Sequence, residues 1–243
     1  MRKIVIANWK MNPVDIREAN KLFKETLEKA SPGIQTIIAP PFIFLEELSR
    51  HKLPRFVSLG AQDVFWEKEG AFTGEISPQE LSKLGIKYAI IGHSERRIHL
   101  GETDEMVSKK INVVIKNKII PILCVGESAI ERNSGLKEKV VLREIKIGLS
   151  LLDGGEEIII AYEPIWAIGS GITDTPEDTL ETFRFIRQAL LESGKNFKVK
   201  LIYGGSINSK NINNFIHHTE IDGVLIGGAS LRGNEIRKIL NQI

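Results

Sequence analysis

The 243 residues predict an α/β chain folded as one (β/α)8 barrel, and three observations carry that expectation. Eight short runs are apolar without alternation, the pattern of strands buried on both faces in a parallel sheet. Segments with helical spacing separate them. No composition break or linker interrupts the alternation, so residues 1–243 read as a single domain.

The first strand is expected at Lys3–Ala7. The helix after it sets Ile16, Ala19, Leu22, Phe23, Thr26 and Leu27 on one face. Strands follow at Thr36–Ala39, Val57–Ala61 and Tyr88–Ile91, and Ser77-Pro78-Gln79-Glu80 before the fourth reads as a capped helix start. The fifth and sixth strands are expected at Ile119–Val125 and Ile158–Tyr162. A long helix then opens on Thr175, with Pro176 at its first position and Asp178 three residues beyond the threonine. It presents Leu180, Phe183, Ile186 and Leu190 on one face and stops at Gly194. Strands at Val199–Tyr203 and Val224–Ile226 close the count. A doubly wound open sheet shares this rhythm but would advertise a glycine-rich turn after its first strand; here that turn reads ANWKMNP.

Bulk composition excludes several function classes. A net charge of +2 gives no nucleic-acid footprint, and no apolar run approaches the length of a membrane span. The single cysteine, Cys124, forbids an intrachain disulfide; it suits a reducing compartment, hence the cytoplasm, and reads as a buried inert thiol.

In a barrel the reactive residues stand at the C-terminal ends of the strands. Strand one ends in Asn8 and Lys10, on the same side of an extended chain with Trp9 opposite; strand four runs into His93 and strand six into Glu163. Strands seven and eight run into YGGSIN and LIGGAS, the usual phosphate pocket of this fold. Gly205, Ser206, Gly227 and Gly228 thus form a candidate cradle of backbone N–H groups. Taken singly, Glu163 reads as an ion-paired residue, His93 as structural, Lys10 as surface and the glycines as tight turns. Gathered at one mouth, with no metal-ligand pattern and no cofactor motif, they suit proton abstraction beside a carbonyl. The alternatives are a Schiff-base aldolase with Lys10 as nucleophile and a catalytically idle barrel kept for binding.

Seven ordered motifs, NWKMN (8–12), GAFTGE (70–75), IGHSERR (91–97), CVGE (124–127), AYEPIWAIG (161–169), YGGSIN (203–208) and GVLIGGASL (223–231), resemble the signatures of triosephosphate isomerases across essentially the whole chain. The resemblance implies interconversion of dihydroxyacetone phosphate and glyceraldehyde 3-phosphate through an enediol(ate), without cofactor or metal. It implies Glu163 as the base and His93, neutral as is well known for this family, as the electrophile. Lys10 would be the cation, Asn8 a hydrogen-bond donor and Glu95 a residue close to Lys10. Gly169, Ser206, Gly227 and Gly228 would hold phosphate. PIWAIGSGITD resembles the family's mobile lid, but where many members read Thr-Gly-Lys-Thr-Ala this chain has Ser170, Gly171, Ile172, Thr173 and Asp174, losing a lysine and gaining an acid. The loop holding Phe65, Trp66 and Phe72 either folds back on its own barrel or, as the resemblance implies, is the arm of a homodimer, with Thr73 reaching towards the partner's site.

Overall fold

The computed structural model describes residues 2–168 and 173–243. Eight parallel strands close into a barrel in chain order, β1 pairing with β8. They are β1 (Lys3–Asn8), β2 (Ile34–Ala39), β3 (Val57–Ala61), β4 (Tyr88–Ile91), β5 (Ile120–Val125), β6 (Glu157–Tyr162), β7 (Lys198–Tyr203) and β8 (Gly223–Ile226). Every expected strand is present.

Alternation along the strands explains why they read as unbroken apolar runs. Ile4 and Ile6 of β1, Ile122 and Cys124 of β5 and Ile159 and Ala161 of β6 fill the barrel interior. Their neighbours Val5, Ala7, Leu123, Val125, Ile158 and Ile160 face outward into the larger core beneath the helices. With both faces covered, nothing selects for polar residues in mid-strand.

The outer layer begins with α1 (Ile16–Leu27), which buries Ala19, Leu22, Phe23 and Thr26 and is capped by the Asp15 carboxylate. After it come α2 (Phe42–Ser49), α3 (Pro78–Lys83), α4 (Ser94–Leu100) and α5 (Asp104–Lys116). The Ser77 cap of α3 is as expected, its hydroxyl accepting from the N–H groups of Gln79 and Glu80. Then follow α6 (Ala129–Asn133), α7 (Lys137–Gly148), α8 (Pro176–Glu192), α9 (Ile212–Ile216) and α10 (Gly233–Leu240). Thr175 caps α8 through the Asp178 N–H at 3.1 Å, and Gly194 takes the left-handed φ of 69° just past its end.

The β3–α3 loop divides. Phe65 is buried and packs on Trp66 and Phe72, with ring centroids 4.1 and 4.7 Å away, so the base of the loop folds back on its own chain. From Glu67 to Glu75, Thr73 included, it is exposed. No described helix is long and apolar enough to cross a membrane.

Candidate active site

Glu163 continues the inward series Ile159, Ala161 one step past β6, at 1% exposure. Its Oε2 accepts from the Ser94 N–H at 3.1 Å, while Oε1 lies 3.3 Å from His93 Nε2 with no aligned donor. Room for this side chain comes from β7: a Cβ on Gly204 would stand 2.8 Å from Glu163 Cγ.

His93 owes its aim to the residue before it. Gly92 adopts φ 73°, breaking the strand alternation at the end of β4. His93 then caps α4, its Nδ1 accepting the Glu95 N–H at 3.2 Å. With Nδ1 accepting that hydrogen bond, Nε2 is the ring nitrogen left to carry a hydrogen.

Lys10 departs from the extended chain expected of it. Its φ is 53°, the left-handed region, which a residue with a Cβ occupies at a cost of about 1–3 kcal/mol. Neighbours hold it there. The Gln62 amide donates to the carbonyls of Lys10 and Ala39 at 2.8 and 2.9 Å, and the Lys10 N–H donates to Asn8 Oδ1 at 3.0 Å. Lys10 Nζ forms a hydrogen-bonded ion pair with Glu95. Asn8 and Trp9 are buried on opposite faces as expected, Asn8 inward and Trp9 among the outer core. Since Asn8 Oδ1 is taken by the backbone, its amide nitrogen is the end left to donate.

A cavity of about 470 Å³ opens over these groups, lined by Lys10, His93, Gly205, Ser206, Gly227 and Gly228 among others. Gly228 has open space where a Cβ would stand, and a Cβ on Gly227 would lie 2.9 Å from Lys10 Cε. The glycines therefore do double duty, exposing backbone and clearing a path for the lysine. The Ser206 hydroxyl donates to the Ala167 carbonyl at 2.6 Å, tying the β7 loop to the segment after Glu163. Glu163 and Asn8 are not part of the cavity lining; Glu163 sits behind His93. Gly169, Ser170, Gly171 and Ile172 lie outside the described residues.

Beyond them, Asp174 is absorbed into a polar cluster. Its backbone N–H donates to the Tyr203 hydroxyl at 3.1 Å, and its carboxylate accepts from Thr179 at 3.4 Å and faces Arg132 at 3.5 Å. Burial pushes the carboxyl up to about 6, against the pull of Arg132. Arg132 also pairs with Glu127 and Asp178 and lies over the Trp166 ring at 4.5 Å. Glu127, fully buried, accepts from Tyr162 and from Trp166 Nε1. Cys124 is buried as expected, and burial, then the charge of Glu163, pushes its thiol well above the ordinary range.

Sequence reasoning did not anticipate Gln62, Gly204 or the Ser94 N–H. They act through space from other strands, and the only sequence trace is that each lies within three residues of a strand's C-terminal end.

Comparisons with known proteins point to one family. A family model described as Triosephosphate isomerase matches residues 3–243. The chain is 42% identical to the Triosephosphate isomerase of Thermoanaerobacter pseudethanolicus over 99% of both chains, and 44% identical to that of Dictyoglomus thermophilum over 95% of both. The Synechocystis protein of the same name is 42% identical over 99% of both chains. A closed eight-stranded parallel barrel, the seven motifs in order and a match over nearly the whole length make one conclusion: the chain belongs to the triosephosphate isomerase family.

Proposed function

We propose that this chain, as one barrel domain over residues 1–243, interconverts dihydroxyacetone phosphate and D-glyceraldehyde 3-phosphate through an enediol(ate). The observation that carries the reading is Glu163: a buried carboxylate whose Oε2 accepts from the Ser94 N–H and whose Oε1 lies 3.3 Å from His93 Nε2, behind a glycine-lined cavity that also holds Lys10.

In this mechanism Glu163 takes the proton from C1 of the ketose, and the electron pair moves to make the C1–C2 double bond while the C2 carbonyl oxygen becomes negative. His93 Nε2–H donates to that oxygen, and Lys10 and the Asn8 amide stabilise its charge. His93 carries the hydroxyl proton between O1 and O2; Glu163 returns its proton to C2, and the aldehyde forms at C1. Glu95 orients Lys10. Ser206, Gly227, Gly228 and Gly169 bind the phosphate. Isomerisation in deuterium oxide should place deuterium on C2 of the aldose. Borohydride added with substrate should leave Lys10 unmodified, whereas a reduced adduct on Lys10 would favour the Schiff-base aldolase instead.

The active form is a homodimer, joined through the exposed tip of the β3–α3 loop with Thr73 directed towards the partner's site. Supporting this, Met11, Val14, Ile43 and Phe72 are exposed apolar side chains on the segments that follow three adjacent strands, β1, β2 and β3. The lone cysteine and this chemistry fit the cytoplasm.

A further inference from the structure

The charges around the cavity leave a phosphate dianion short of one partner. Among its described lining residues only Lys10 and Arg232 carry a positive charge, and none is Asp or Glu. Lys10 is already paired with Glu95. Arg232 forms no ion pair within 4 Å among the described residues, although its charge helps lower the nearby Glu235 carboxyl, and it is exposed at the cavity edge.

Arg232 is also carried by the right piece of chain. It follows the single 3-10 turn Gly228–Leu231, which begins in the Gly227–Gly228 cradle, and it directly precedes α10. Its backbone is pinned at both sides: its N–H donates to the Ala229 carbonyl at 3.4 Å, and its own carbonyl accepts from Glu235 at 2.8 Å and Ile236 at 3.0 Å. Glu235 in turn accepts the Ser209 N–H at 2.7 Å, joining this segment to the loop after β7 that bears Ser206. The hydrogen bond from Ser209 lowers the Glu235 carboxyl, so it is held as the anion. The base of Arg232 is thus fixed relative to both candidate phosphate loops.

We propose that Arg232 is a phosphate-binding residue, supplying a cation beside the glycine cradle at the edge of the cavity. This rests on the triose-phosphate reading above. A planar guanidinium matches two phosphate oxygens at once, and an exposed cation at a cavity mouth also draws a dianion in from solution. Its side chain makes no cap hydrogen bond to α10, so replacing it removes the charge without removing a helix cap.

The test is steady-state kinetics on glyceraldehyde 3-phosphate with wild type, Arg232→Gln and Arg232→Lys at low and high salt, together with calorimetric titration of inorganic phosphate. Arg232→Gln should lower kcat/KM about tenfold, mainly through KM, and weaken phosphate binding by a similar factor. It should also flatten the salt dependence, and Arg232→Lys should recover much of the loss. Unchanged phosphate affinity, or a loss confined to kcat, would overturn the assignment. A wild-type chain without turnover would instead defeat the isomerase reading, and the phosphate titration would still decide Arg232.

Discussion

Glu163, His93 and Lys10 are each fixed by a specific hydrogen bond. Glu163 is held by the Ser94 N–H after β4, the turn of Lys10 by the Gln62 amide after β3, and His93 by the Glu95 N–H of the helix it caps. Glu144, on α7, accepts the Gly126 N–H at 2.8 Å with Arg97 3.7 Å away, and burial raises its carboxyl from 4.5 to about 7. A raised folded-state value means the native chain holds a proton that the unfolded chain has already released. Glu144 therefore adds stability at low pH that is lost as pH rises from about 4.5 through about 7. Glu144→Gln cannot titrate, so its melting temperature should fall less than that of wild type between pH 5 and pH 7. Parallel melting curves across that range would refute the assignment.

At the scale of elements, the ends of β5 and β6 are packed to contact. A Cβ on Gly126 would stand 1.8 Å from the Glu163 carbonyl oxygen, and the Glu163 N–H donates to the Val125 carbonyl at 2.7 Å. Gly126→Ala must push the base of Glu163 aside. We expect kcat to fall by roughly 100-fold with KM little changed, since small misplacements of a reacting group are costly; a variant with wild-type kcat would show that the strand end has slack. Strand positions were legible because burial on both faces leaves an unbroken apolar signature. Their starts were less so: β2 begins at Ile34 rather than Thr36 and β7 at Lys198 rather than Val199, where pairing with the neighbouring strand extends the ladder into polar residues. The left-handed turn at Lys10 was hidden, because its cause is Gln62, a residue of another strand end. Glu163, His93 and the two glycine pairs were legible because strand ends place them at one mouth.

For the whole molecule, the proposed dimer would cover exposed apolar side chains on the segments after β1, β2 and β3. Met11 is 91% exposed and Ile43 79%. Sedimentation should give twice the chain mass of 27.2 kDa. Thr73→Arg, at the exposed loop, should shift the protein towards monomer and lower activity most at low protein concentration. A wild-type monomer with full activity would contradict the dimer. The barrel itself needs no partner to close, so this prediction is independent of the fold.

The most direct measurement of the central claim is turnover of glyceraldehyde 3-phosphate by wild type and Glu163→Gln, purified side by side so that host isomerase contaminates both equally. The amide keeps the shape and cannot take the proton, so kcat should drop by about 1,000-fold or more with the fold intact. Equal weak activity in both preparations would contradict the account, leaving a phosphate-binding barrel whose carboxylate is not a base.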